Sequence, residues 1–140
     1  MSKIFIDTNV FIYALDQKDE KKQELARKTI RRVVESHQPV ISTQVIQEFH
    51  VVASDKLKVD PIVLKSIIHN FHNMEVVNND LELVEQAIDI SILFRLSFWD
   101  SLVIAAAEKA NCECVLSEDL NSGHSYRGVK VINPFINKEF

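Results

Sequence analysis

The chain has 140 residues, the ordinary size of one domain, and its 46% hydrophobic residues suffice for a real core. Only 2 Gly and 3 Pro leave little room for linkers or low-complexity arms, so a single domain over 1–140 is expected. A formal net charge of −4 argues against a protein that grips nucleic acid over its whole surface, but not against an enzyme whose acids gather around bound cations.

The N-terminus opens without the long apolar stretch of a signal peptide. Lys3-Ile4-Phe5-Ile6 is a short apolar run that ends at Asp7 and reads as a buried first strand. Residues 10–15 suggest a short helix. Over 19–35, charged residues alternate with Leu25, Ala26, Ile30, Val33 and Val34 at helical spacing, which predicts an amphipathic helix. Residues 39–42 read as a second strand, and Ser42 or Thr43 would cap the next helix, which carries Val45, Ile46, Phe49 and Val52. Pro61 opens a further helix with Ile62, Leu64, Ile67, Ile68 and Phe71 on its apolar side.

Residues 74–77 are expected to form a third strand, and Asp80 caps a helix that runs to about Phe94. Another helix begins at Trp99-Asp100-Ser101, and its Ala105-Ala106-Ala107 suggests close packing on a sheet. The fourth strand covers 114–116 and the fifth 129–132. A disulfide between Cys112 and Cys114, one residue apart beside a strand, is not expected. Free thiols fit a reducing cytosol, so a cytoplasmic location is expected. No segment is apolar and long enough to span a bilayer, so no membrane partner is expected.

Strands alternating with helices favour an α/β domain of three α/β/α layers around a mainly parallel sheet of about five strands. In such sheets the site lies outside the carboxyl ends of the strands. Four carboxylates meet that condition. Asp7 follows the first strand, Asp119 follows the fourth, Glu48 lies in the early turns of the helix after the second, and Asp100 stands at a helix start. Taken singly, Asp100 reads as a helix cap, Asp119 as a turn residue and Glu48 as a solvated helix residue. Taken together, they are the oxygen donors that hard cations such as Mg²⁺ or Mn²⁺ bind.

Three blocks, Ile6-Asp7-Thr8-Asn9-Val10-Phe11-Ile12-Tyr13, residues 98–107 from Phe98-Trp99-Asp100-Ser101 onward, and Val115-Leu116-Ser117-Glu118-Asp119-Leu120, resemble the PIN domains, in particular the small VapC-like toxin ribonucleases. The tail 128–135 is similar as well, and the likeness runs along the whole chain. The resemblance implies a metal-dependent endoribonuclease with Asp7, Glu48, Asp100 and Asp119 as catalytic residues and as ligands of Mg²⁺ or Mn²⁺. It implies supporting roles for Asn9 and Ser117, and a position at Glu118 that is often acidic but less regularly a ligand. An RNA substrate, a small antitoxin partner and a homodimer are expected on the same ground.

The most basic stretch runs from Lys18 to Arg32. Arg27, Lys28 and Arg31 are candidate RNA contacts there, and Arg95 and Arg127 are further candidates expected near the active edge. Other readings remain open at this stage. The same chemistry could serve housekeeping RNA processing. Asp7 could be the nucleophile of a haloacid-dehalogenase-type phosphatase, although that pattern wants a second Asp where Asn9 stands. The fold could also be a non-catalytic binding module, which the full set of acids argues against. A calcium loop at Asp7 lacks its glycine, since Ile12 stands there. His69 and His72 have no convincing third metal ligand.

Overall fold

The computed structural model describes residues 2–136. Its strands are β1 (Lys3–Ile6), β2 (Gln38–Ser42), β3 (Glu75–Val77), β4 (Cys114–Leu116), β5 (Ser125–Tyr126) and β6 (Val129–Ile132). The helices are α1 (Thr8–Leu15), α2 (Glu20–Ser36), α3 (Thr43–Asp55), α4 (Pro61–His69), α5 (Leu81–Phe94) and α6 (Phe98–Lys109), with a 3₁₀ turn over Asn70–Asn73. The sheet order is β3-β2-β1-β4-β6-β5, and every pairing is parallel except β5 with β6.

The expected five strands are therefore six. The extra strand is a two-residue hairpin arm whose turn residues, Arg127 and Gly128, both take positive φ of 50° and 81°. With Tyr126 opposite Val129, this is the two-residue loop whose twist suits a hairpin, and it needs left-handed backbone at both positions. Gly128 adopts that conformation without strain.

β1 lies at the centre, between β2 and β4. Ile4, Phe5 and Ile6 are all at most 1% exposed, so both faces of this strand are covered by helices. Ala105, Ala106 and Ala107 are all buried, and α6 packs across β2, β4 and β6. Their small side chains are what let the helix axis approach the sheet. On the other helical group, α1 packs on α2 and α3, and α3 on α4. A trio of rings ties this group together: Phe11, Phe49 and Phe71 meet edge to face at centroid distances of 5.2–6.2 Å.

Each helix start carries a capping side chain. Asp7, Asp19, Ser42, Asp60, Asp80 and Ser97 accept from backbone N–H groups of the first turn, and Pro61 opens α4. Ser97, not Asp100, caps α6: Asp100 donates its own backbone N–H to the Ser97 hydroxyl at 3.1 Å, and its carboxylate is left for other use. Phe49 and Phe71 belong to the core rather than to a contact face, whereas Ile62, Leu81, Ile92 and Leu93 on α4 and α5 are exposed.

Because Phe49 is 1% exposed and contacts both other rings, Phe49→Ala is expected to cost about 3–5 kcal/mol through lost burial and a residual cavity. Urea unfolding checks this: the midpoint should fall at an unchanged slope.

Candidate metal centre

The chain leaves β1 toward β2 on one side, and β4 later inserts on the other side of β1. The carboxyl ends of β1 and β4 thus flank a topological switch point, where a crevice opens because the connections diverge. Asp7 follows the first of these strands directly. Ser117, Glu118 and Asp119 follow the second.

Asp7 is 6% exposed. Its Oδ1 accepts the Thr8 backbone N–H at 2.8 Å, and its Oδ2 accepts the Ser117 hydroxyl at 2.7 Å. Asn9 joins the two strand ends. Its amide nitrogen lies 3.5 Å from Asp7 Oδ2, 3.3 Å from Ser117 Oγ and 3.2 Å from Asp119 Oδ2, and its oxygen accepts the Glu118 backbone N–H. Asn9 and Ser117 thus link Asp7 and Asp119 through side-chain contacts.

Burial pushes the Asp7 carboxyl up to about 6, against the pull of Ser117 and Thr8, and the charges of Glu48 and Asp119 push the same way. Desolvation also raises Glu48, with Asp119 and Asp100 adding to it and Gln44 and Thr8 opposing. Asp100 is raised by burial first and then by Asp119, with Ser97 opposing. Asp119 is thus the acid that the other three all feel. The structure brings the four expected carboxylates, drawn from the β1 end, α3, α6 and the β4 end, into one electrostatic neighbourhood.

Next to the carboxyl ends of β1 and β4 lies an open cleft of about 300 Å³, lined by Thr8, Asn9, Ile12, Tyr13, Asp16, Glu48, Val52, Lys56, Glu118 and Asp119. Glu118 lines the same cleft but is already engaged. Lys22 holds it in an ion pair and Tyr13 donates its hydroxyl to it at 3.0 Å. Lys22 also stands over the Tyr13 ring, 4.5 Å from its centre.

Among the described residues, no three acidic, His or Cys side chains come close enough together to hold a metal ion as they stand. The donors nonetheless suit a hard divalent cation in kind: all are carboxylate oxygens, and their mutual repulsion is the conflict a cation relieves. Among the described residues, the buried Gln44 Oε1 has no hydrogen-bond partner, which is unusual for a buried polar atom.

The basic candidates divide. The first turn of α2 reaches the active edge through Lys22, and Arg27, Lys28 and Arg31 follow along the same helix, extending roughly 13 Å from Lys22 at 1.5 Å per residue. All three are exposed, and Arg27 Nε also donates to the Ala14 carbonyl at 2.8 Å. Arg95 is exposed at the left-handed end of α5, five residues before Asp100. Arg127 is not near the active edge. It sits in the hairpin turn at the amino end of β6, bound to Gln86 at 2.8 Å and Glu108 at 3.2 Å. Sequence spacing placed it wrongly because the hairpin carries the chain back to the opposite end of the sheet. Lys56 and Gln44 were not singled out from the sequence. Lys56 follows α3 and carries no signal but charge, whereas Gln44 stands four residues before Glu48, one helical turn away.

The PIN-domain family model matches residues 4–123. No curated protein sequence matches the chain. In structure the chain is similar to the Mycobacterium tuberculosis toxin VapC20, described as cleaving the sarcin–ricin loop (21% identity, 91% of this chain and 98% of that one, TM-score 0.67). It is also similar to a toxin–antitoxin complex from Klebsiella pneumoniae (16% identity, 94% and 97%, TM-score 0.66) and to DNA-bound VapBC from Salmonella typhimurium (20%, 94% and 97%, TM-score 0.64).

The raised Asp7 carboxyl has a sign that can be measured. A folded-state value near 6 against 3.8 means that the folded protein binds this proton more tightly. The metal-free protein should therefore lose stability as pH rises from about 4 through 6. Asp7→Asn should flatten that loss and stabilise the protein at pH 7 by on the order of 2 kcal/mol. Thermal melts of both proteins across pH 4–8 check this.

Proposed function

This chain belongs to the PIN-domain family, and from that membership we propose that it is a Mg²⁺- or Mn²⁺-dependent endoribonuclease, the toxin of a toxin–antitoxin pair. The observation that carries the reading is the gathering of Asp7, Glu48, Asp100 and Asp119 at the switch-point crevice, with Asp7 buried and held by Ser117 and Thr8. The solved structures it resembles are toxins and toxin–antitoxin complexes, and the chain covers 97–98% of the three described above, which supports an antitoxin as partner.

The four carboxylates would hold the cation. When bound, it supplies a Lewis acid and lowers the pKa of a water molecule. Asp7 is the floor of the site, fixed on both oxygens. Asp119, Glu48 and Asp100 stand around it on separate elements, so the donor set depends on the tertiary fold. Hydrolysis adds a water oxygen to phosphorus, breaks the bond to the 3′ oxygen and leaves the proton on that oxygen. A phosphoaspartate route is disfavoured by the surroundings of Asp7. Both of its oxygens already accept hydrogen bonds, and Asn9 stands where that chemistry wants a second acid.

RNA backbone would be met along α2, where Arg27, Lys28 and Arg31 lead away from the acidic edge. Exposed Ile88 and Ile92 on α5, with Leu81 on the same helix, give an apolar face that supports homodimer formation. No single described helix is long and apolar enough to cross a membrane.

Cleavage of a mixed RNA pool by the purified protein should require Mg²⁺ or Mn²⁺, stop with EDTA, and fall at least 100-fold in Asp7→Asn and Asp119→Asn. Metal-independent cleavage, or an active Asp7→Asn, would sink the reading. Reversing the charges of Arg27, Lys28 and Arg31 together should weaken RNA binding and flatten its dependence on salt. Filter binding between 50 and 200 mM salt measures the slope, and an unchanged slope removes these residues from the RNA path.

A further inference from the structure

We propose that Gln44 is a positioning residue that holds Glu48 in register with Asp100 across the contact between α3 and α6. The proposal rests on the metal-centre reading above and adds to it a residue outside the carboxylate set.

Gln44 is the second residue of α3, just after the Ser42 cap, and it is 5% exposed. Its amide nitrogen donates to the backbone carbonyl of Trp99 at 3.3 Å. Trp99 immediately precedes Asp100 in the first turn of α6. On its own helix, Gln44 stands one turn before Glu48 and shares its face. One side chain therefore touches the backbone that carries one acid and adjoins the side chain of another.

The orientation of the amide is fixed. Only the NH₂ end can face a carbonyl oxygen, so Oε1 must point elsewhere. It points to no donor, although it is buried. A buried acceptor without a partner is destabilising, and a leucine or methionine of similar size would avoid that penalty. The Gln44 and Thr8 side chains both favour the ionised Glu48 carboxylate by hydrogen bonding to it, against the burial that raises it. Groups that orient metal ligands in this way typically account for 10–100-fold in affinity.

The test is Mn²⁺ binding to the full chain, by calorimetry and by electron paramagnetic resonance, in wild type, Gln44→Leu, Gln44→Met, Glu48→Gln and the Gln44→Leu/Glu48→Gln double variant. Thermal melts without metal run alongside. The expected result is a loss of about tenfold in Mn²⁺ affinity in Q44L and Q44M at an unchanged or raised melting temperature. The double variant should bind no more weakly than E48Q, because Gln44 acts through Glu48. Wild-type affinity in both Gln44 variants overturns the proposal, and so do losses that add fully in the double variant. Failure of both variants to fold assigns Gln44 to stability alone and overturns it too. A wild-type chain that binds no Mn²⁺ removes the metal-centre reading itself, and the proposal with it.

Discussion

A carboxylate buried at the end of a strand that is covered on both faces is the constraint on which the active edge depends. Asp7 cannot retreat to solvent, because the apolar residues before it fix β1 in the middle of the sheet and its own carboxylate caps α1. Desolvation penalises its ionised form, and three more acids stand close enough to act on one another or on it. The fold supplies only partial relief, through the Thr8 backbone N–H, the Ser117 hydroxyl and the Asn9 amide. What remains is a site whose stability and charge are in conflict at neutral pH. Such conflict is the ordinary mark of a group retained for its chemistry rather than for folding.

The helices moderate that conflict. Asp7 caps α1, Asp100 stands in the first turn of α6, and Glu48 lies early in α3. The positive ends of helix dipoles therefore face the acidic edge from three directions. For α1 and α3 this follows from βα connectivity, since each helix begins where a parallel strand ends. For α6 it does not, because α6 follows another helix. Its start is brought to the edge by packing, through the alanine-rich surface on the sheet and the Gln44–Trp99 hydrogen bond. The fourth acid is thus placed by tertiary contacts alone.

This difference explains what was legible in the sequence. Asp7 and Asp119 follow apolar runs, so their place at the carboxyl edge can be read from local pattern once the strands are recognised. Asp100 reads locally as a cap, and only the structure shows that Ser97 takes that role. β5 escaped because two residues carry no periodicity, and its existence depends on the Arg127–Gly128 turn. The misplacement of Arg127 has the same origin. Glu118 stands where the resemblance implies an acid that is less regularly a ligand, and Lys22, 96 residues away, pairs with it. Pairings of that separation leave no trace in a single sequence. Gln44 is the opposite case. Its spacing to Glu48 was visible, but an amide one turn from a carboxylate is common, and only burial and the unpaired Oε1 distinguish this one.

The net charge of −4 bears less on the proposed substrate than it first suggests. At physiological salt the screening length is about 8 Å, so a strand of RNA feels the charges beside it rather than the sum over the surface. Beside the cleft those charges are arranged in order. Buried Asp7, half-buried Asp100 and the more exposed Glu48 and Asp119 lie at the crevice, Lys22 neutralises Glu118 on its rim, and Lys56 stands in the cleft wall. Beyond Lys22 the outer face of α2 is basic for more than two turns, although Glu24 interrupts it. An acidic centre bounded by cations admits a polyanion only after its own charge is offset, because phosphate brought against four bare carboxylates would be repelled. On the proposed reading, the cation must therefore be bound before or together with the RNA. The acids that make the site hostile to phosphate alone also make it selective for phosphate that arrives with a metal ion.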